Sequence, residues 1–357
     1  MLASYFRETV RQMQGYTPGE QPPPGSRVLK LNTNENPYPP SPQVAAALRE
    51  LDPELLRLYP SPLADEARAV IAALHRCHEH EVLCGNGSDD LLTIVTRSFV
   101  EPGALILSFT PSYLLYETLA QIQGARFVAL PFDGNWAPPE ASDLYRQASL
   151  VFLANPNSPS GTLVSPERIA ALAAQLRCPL VVDEAYADFA GTSCVPLVRK
   201  HPNIVVVRTL SKSYSLAGIR FGYLIARSDL VDGLVRVKDS YNCDAVAIRV
   251  ATAALRDQEH MKKNMARIRR TRERVRQALA SLGFVTTESH TNFLWCVDGP
   301  VPPSTWARRL RRHGILVRHL DYGTYGDGVR ITIGTDQQMD HFLQATRQIV
   351  TEGEACR

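Results

Sequence analysis

Between Glu81 and Ala226 the chain runs through six short apolar segments: Ala104–Phe109, Phe127–Leu130, Leu150–Ala154, Leu180–Val182, Ile204–Val207 and Gly222–Ala226. Amphipathic stretches of helical length separate most of them. The segments do not alternate strictly between apolar and polar residues, so each reads as a strand buried on both faces. Such strands, joined by helical crossovers, build a parallel sheet covered on both sides. The middle of the chain is therefore expected to be a doubly wound α/β unit.

The flanking segments follow different rules. The first sixty residues are irregular and rich in proline, with Pro22-Pro23-Pro24-Gly25 and Asn36-Pro37-Tyr38-Pro39-Pro40 on either side of a short apolar stretch, Val28-Leu29-Lys30-Leu31. They read as an arm laid over another surface. After Asp229 one long helical region is expected through Leu282, ended by Gly283. Strand-like Phe284–Thr287, Asn292–Val297, Ile315–Arg318 and Val329–Ile333 then alternate with one helix near Pro303–His313, which describes a small α+β unit. A length of 357 residues suits two packed units. The expected division is 1–45 for the arm and part of the small domain, 46–235 for a large α/β domain with a mostly parallel sheet, and 236–357 for a linker helix and the small domain.

Composition narrows the function. Thirty-nine Lys and Arg against 36 Asp and Glu give a net charge of +3, too balanced to imply a nucleic-acid or membrane partner. A basic cluster does occur at Lys262, Lys263, Arg267, Arg269, Arg270, Arg272, Arg274 and Arg276. It reads either as a phosphate-backbone contact or as the solvated face of a linker helix, and the interruptions by Glu273, Val275 and Leu279 favour the second. The seven cysteines are scattered without a C-x-x-C pair, which argues against a disulfide framework or a zinc module. His75-Arg76-Cys77-His78-Glu79-His80 has metal-ligand residue types but no second ligand cluster, and no metal is expected. No stretch approaches the ~18 apolar residues of a membrane span, and the segment Met1–Glu8 lacks a long apolar core, so a cytoplasmic protein acting on small molecules is expected.

Three segments carry chemistry. In Val205–Arg220 a strand runs into a polar turn with one lysine, Lys212, between Ser211 and Ser213, and Arg220 follows eight residues later. A lysine partly desolvated beside another cation has its ammonium form disfavoured, and only the free amine forms a Schiff base. Ser211 and Arg220 suit a phosphate beside it. In Leu180-Val181-Val182-Asp183-Glu184-Ala185-Tyr186 a carboxylate stands where a buried strand stops. Open α/β sheets bind ligands outside the carboxyl ends of their strands, so Asp183 and Lys212 are expected to face one crevice. Gly85-Asn86-Gly87-Ser88-Asp89-Asp90 reads as a glycine turn opening a helix, with Ser88 as its N-cap and free N–H groups available to an anion.

Together these segments resemble the fold-type I pyridoxal phosphate enzymes, the aspartate aminotransferase-like group. Within it the chain is most similar to the histidinol-phosphate aminotransferase family. The residues carrying the closer likeness are Leu31–Tyr38, Tyr59-Pro60, Gly85–Asp89, Asp183–Phe189, Arg208–Lys212 with Leu216–Arg220, and Val329–Gly334, in family order over nearly the whole chain. The resemblance implies pyridoxal 5'-phosphate as cofactor, with Lys212 bonded to it and moving the substrate proton, Asp183 paired with its ring nitrogen and Tyr186 with its ring oxygen. It implies Tyr113 stacked on the ring and Ser88, Asp89, Ser211 and Arg220 around the phosphate. Tyr59 would reach the neighbouring subunit of a homodimer. Arg330 would receive a substrate carboxylate, and Arg318 and Tyr16 the phosphate of histidinol phosphate, although an exposed strand-end arginine is also the ordinary reading of Arg318. Asn155-Pro156-Asn157-Ser158-Pro159-Ser160-Gly161 departs from the family pattern, because serine stands at 158 where an asparagine usually meets the ring oxygen. Either the Ser158 hydroxyl or the Asn157 amide takes that contact. The implied reaction transfers an amino group between histidinol phosphate and 2-oxoglutarate, giving imidazole-acetol phosphate and glutamate. Alternatives on the same fold are an aromatic aminotransferase, a phospho-amino-acid decarboxylase, or a regulator that binds nucleic acid.

Overall fold

The computed structural model describes residues 5–354. After a short helix α1 (Glu8–Gln12) and a short strand β1 (Leu29–Lys30), helices α2 (Pro42–Arg49) and α3 (Asp65–His75) lead into the first strand of the large sheet. Its seven strands are β2 (Val82–Gly85), β3 (Leu105–Thr110), β4 (Arg126–Pro131), β5 (Ala148–Ala154), β6 (Leu180–Asp183), β7 (Ile204–Thr209) and β8 (Gly222–Ile225), in the spatial order β2-β8-β7-β6-β5-β3-β4. Successive side chains enter opposite layers, as the pleat requires. Val181, Val205 and Val207 pack on one face, and Leu180, Val182, Ile204 and Val206 on the other. Helices α4 (Ser88–Phe99) and α5 (Leu115–Gln123) cover the first face and α6 (Pro166–Gln175) the second. A one-turn helix, α7 (Ala187–Ala190), follows β6.

The sheet is mostly parallel, as expected, and one strand runs against the rest. β8 pairs antiparallel with both β7 and β2. A parallel return needs a long crossover, usually a helix. The connection from Leu210 to Phe221 holds only a short 3₁₀ turn, Ala217–Ile219, so the chain folds straight back. That tight return places both Lys212 and Arg220 just beyond the carboxyl end of β7. The expected N-cap of α4 also shifts by one residue: Gly87 occupies the cap with φ +86°, and Ser88 is the first helical residue.

The single helical region expected after Asp229 is three helices, α8 (Ser228–Val235), α9 (Ala245–Arg256) and α10 (Gln258–Ser281). The break has a topological cause. Val231 and Leu234 of α8 belong to one core layer, whereas Ala247, Ile248 and Val250 of α9 belong to the other, so the chain must pass around the sheet edge between them. Asp244 restarts the helix by accepting from the Ala247 N–H at 2.8 Å. α9 packs on α2 and α3.

The small unit has the sheet order β12-β13-β10-β9, antiparallel throughout, from β9 (Val285–Thr286), β10 (Phe293–Asp298), β12 (Arg318–Asp321) and β13 (Asp327–Thr332). β11 (Ile315–Leu316) pairs parallel with β1, so the arm is stitched to this unit by backbone hydrogen bonds. Helix α11 (Pro303–Arg312) was expected, and α12 (Asp336–Glu354) was not. Four of the eight basic residues in the α10 cluster are engaged within the chain. Arg267 lies 3.7 Å over the Tyr38 ring, Arg274 pairs with Asp336 and Asp340, Arg276 pairs with Glu273, and Arg272 donates to the Thr291 carbonyl. Among the described residues no helix is long and apolar enough to cross a membrane.

Candidate active site

The carboxyl ends of β5, β6 and β7 stand side by side, with Ala154 paired to Asp183 and Asp183 to Val207. A cavity of about 210 Å³ opens there, roofed by the arm and by β12 and β13 of the small unit. Of the residues expected in the site, Tyr16, Ser88, Asp89, Tyr113, Asp183, Tyr186, Ser211, Lys212, Arg220, Arg318 and Arg330 all line it. They come from six separate stretches of sequence, from Tyr16 in the arm to Arg318 and Arg330 in the small unit.

Lys212 projects from the β7–β8 return, and its Nζ donates to the Thr33 carbonyl at 3.2 Å. Burial, reinforced by the positive charge of Arg330 and opposed by Glu35, lowers its amine to about 8. About a tenth of Lys212 is therefore free amine at pH 7 and about half at pH 8, and the free amine is the form a nucleophilic lysine requires. Asp183 is only 5% exposed, and burial raises its carboxyl to about 6 against the opposing hydrogen bonds of Tyr116 and the Ala185 N–H. Tyr186, buried beside Lys212, accepts from Asn34 Nδ2 at 2.8 Å, and burial pushes its phenol upward. With Asn34 as donor, the Tyr186 proton remains available to another acceptor.

An oxyanion cradle lies at the start of α4. Arg220 donates to Ser211 Oγ at 3.3 Å and sits 3.5 Å from Asp89. The two glycines in the wall are there for space. A Cβ on Gly87 would come within 2.7 Å of the Arg220 guanidinium, and one on Gly222 within 2.8 Å of the Ser88 amide nitrogen. Glycine thus brings a guanidinium, a hydroxyl and helix-terminal N–H groups to one point, an arrangement suited to a phosphate. Across the cavity, Arg330 donates to Ser158 Oγ at 2.9 Å and to the Asn32 carbonyl at 3.1 Å, leaving its buried Nε without a partner. Arg318 reaches the arm, donating to the carbonyls of Thr17 at 3.2 Å and Pro18 at 3.4 Å. Tyr16 meets Tyr113 edge-on at 5.8 Å.

Two expected residues lie elsewhere. Asn157 is buried but faces away from the cavity. Its amide nitrogen donates to the Pro111 carbonyl at 2.9 Å and to Ser160 Oγ at 2.8 Å, while its oxygen accepts from Ser112 Oγ at 2.7 Å. All of its polar capacity goes into joining two loops, so of the two alternatives it is Ser158 that lines the cavity. Tyr59 is 82% exposed and stacks on Tyr241 at 4.4 Å, outside this chain's own cavity. The histidine-rich segment holds no ligand cluster: His75 bonds Tyr223 at 2.8 Å, and burial lowers it to about 4.

Sequence reasoning missed three supporting residues. Asn34 holds Tyr186 and has φ +57°, a left-handed conformation that asparagine tolerates better than most residues. Its neighbours were legible as a motif, but its partner 152 residues away was not. Tyr116 donates to Asp183, and its only signal was its i+3 spacing from Tyr113. Arg208 is a buried clamp. It donates to Glu184 Oε2 from Nε at 2.9 Å and Nη2 at 2.8 Å, and to Asp188 from Nη1 at 2.9 Å, while Asp188 accepts from Ser213 Oγ at 2.5 Å. The residues next to Asp183 and Lys212 are thereby tied to one guanidinium.

Residues 26–345 match the family model for class I and II aminotransferases, and the chain belongs to that family. Among its relatives is the histidinol-phosphate aminotransferase of Rhodopirellula baltica, 48% identical over 94% of this chain and 93% of that protein. Histidinol-phosphate aminotransferase 1 of a Nostoc species is 42% identical over 98% of this chain and 99% of its own length. The crystal structure of histidinol-phosphate aminotransferase from Sinorhizobium meliloti in complex with pyridoxal-5'-phosphate superposes with a TM-score of 0.88, covering 98% of this chain and 99% of that one at 25% identity. A Thermus thermophilus aspartate aminotransferase mutant shares the fold, with a TM-score of 0.80 at 18% identity over 97% of this chain and all of that one.

Proposed function

We propose that this aminotransferase moves the amino group of histidinol phosphate to 2-oxoglutarate, yielding imidazole-acetol phosphate and glutamate, with pyridoxal 5'-phosphate as resident cofactor in a cytoplasmic homodimer. The observation that carries the reading is the pairing, in one cavity, of a lysine lowered to about 8 with a glycine-walled oxyanion cradle and two further arginines on the opposite side. The cavity thus offers cations for a cofactor phosphate, a substrate carboxylate and a substrate phosphate, more than a neutral or purely aromatic donor would need.

The residues present fit the cofactor. Ser88, Asp89, Ser211 and Arg220 would hold its phosphate, Asp183 its ring nitrogen, and Tyr186 with Ser158 its ring oxygen, while Tyr113 would cover the ring face. When bound, the cofactor supplies an electron-withdrawing ring and the carbon that carries the amino group between half-reactions. The protein contributes the rest. The free Lys212 amine would take the proton from substrate Cα in one half-reaction and give a proton back at that position in the other. Asp183 keeps a fixed negative charge beneath the site. Arg330 binds the 2-oxoglutarate carboxylate in a planar, two-point contact. Arg318 and Tyr16 hold the substrate phosphate under the arm, and Tyr59 reaches the partner subunit's cofactor phosphate.

A single-turnover absorbance titration of holoenzyme without oxo acid tests the assignment. L-histidinol phosphate should discharge the visible cofactor band at far lower concentration than L-phenylalanine. Preference for phenylalanine would make the protein an aromatic aminotransferase, and absence of a cofactor band would overturn the reading altogether.

A further inference from the structure

Asp183 gives up its water at the pocket floor, and a carboxylate so placed stays charged only where donors replace that water. Two donors do so. The Ala185 N–H reaches Oδ1 at 3.2 Å, and the Tyr116 hydroxyl reaches Oδ2 at 2.9 Å. The acidic neighbours Asp89 and Glu184 work the other way, as does burial, and the phenols of Tyr113 and Tyr186 also face this carboxylate. Burial raises the Tyr116 phenol well above its ordinary range, so it remains a donor at any working pH.

Tyr116 has little freedom to turn away. Its ring is fully buried on α5, stacked on Phe152 at 4.7 Å with planes 6° apart, and it meets Tyr113 edge-on at 5.5 Å. Loss of its hydroxyl would leave Oδ2 buried without a side-chain donor.

We propose that Tyr116 is a positioning residue of the active site, holding the Asp183 carboxylate charged and fixed at the pocket floor. This rests on the aminotransferase reading for its purpose, since the fixed charge is what a cofactor ring nitrogen would meet. The contact itself can be tested without turnover.

Apoenzyme labelled with [4-¹³C]aspartate would be titrated by NMR, following the resonance that disappears in Asp183→Asn. In Tyr116→Phe, which keeps the ring and its stacking, the midpoint should move up by about one pH unit or more, and pyridoxal phosphate should bind at least about twofold more weakly near pH 7, as the charged fraction of Asp183 falls from about nine-tenths to about half. Tyr116→His, which restores a donor, should recover part of both. As an independent arm that deletes no atom from the ring, 3-fluorotyrosine at position 116 is a stronger donor and should move the midpoint down. A Tyr116→Phe midpoint and cofactor affinity equal to wild type, or an unmoved midpoint with fluorotyrosine, would overturn the proposal. If histidinol phosphate proved not to be the donor, or no cofactor bound, the functional reading would fail while the apoenzyme titration still decided the Tyr116 contact.

Discussion

Replacing Arg208 by methionine should be among the more damaging single changes available outside the cavity lining. The side chain is 11% exposed, and its partners Glu184 and Asp188 are 1% and 20% exposed. Methionine fills most of the stem volume but removes three hydrogen bonds and the positive charge, leaving a fully buried Glu184 whose remaining donors are Ser193 Oγ at 2.7 Å and the Cys194 N–H. Breaking a buried pair in this way costs ~3–5 kcal/mol. Because Asp188 keeps some contact with solvent and its Ser213 hydrogen bond, the lower end, ~3 kcal/mol, is the expected loss. The assay is equilibrium urea unfolding of the apoenzyme, followed by circular dichroism, in a double-mutant cycle with Glu184→Gln. If the cost arises from stranding a buried charge, Glu184→Gln in the Arg208→Met background should restore at least ~1 kcal/mol, although it is destabilising alone. A loss below ~1 kcal/mol for Arg208→Met, or no recovery in the double variant, would refute the clamp as the source of stability.

The lowered Lys212 amine makes a prediction with a definite sign. It titrates near 8 in the folded protein and near 10.5 when unfolded, so the unfolded chain holds the extra proton between those values and stability at this site rises with pH across that window. Apoenzyme carrying Lys212→Met should therefore be more stable than wild type at pH 7, with the advantage shrinking by pH 10, as read from urea midpoints. The same variant should lose borohydride-trapped cofactor. Gly87→Ala places a Cβ within 2.7 Å of Arg220 at φ +86°, and it should weaken cofactor binding about tenfold or more in an equilibrium titration. Arg318→Gln should raise KM for histidinol phosphate by ~10–100-fold and change KM for dephosphorylated histidinol much less, as steady-state kinetics would show.

The unalternating apolar runs determined by themselves that the centre of the chain would be a sheet buried on both faces, and the residues at the run ends marked Asp183 and Lys212 as neighbours across a crevice. That information is local: strand periodicity, a polar turn after a strand and a glycine turn before a helix are each contained in a dozen residues. The direction of β8 was not local, since it depends on whether the segment between Leu210 and Phe221 can form a crossover helix. The break between α8 and α9 likewise followed from which side of the sheet each helix must cover. Side-chain allegiance was decided last and only in three dimensions. Asn157 stands in a segment that reads as ligand-binding, yet its amide is consumed by Pro111, Ser112 and Ser160, whereas Tyr116 and Asn34 act on site residues 67 and 152 positions away and Arg208 holds Glu184 and Asp188, 24 and 20 positions away, behind the site. A hydrogen bond is satisfied by whichever buried partner the packed elements bring within about 3 Å, and sequence spacing does not encode that distance until the layers have closed.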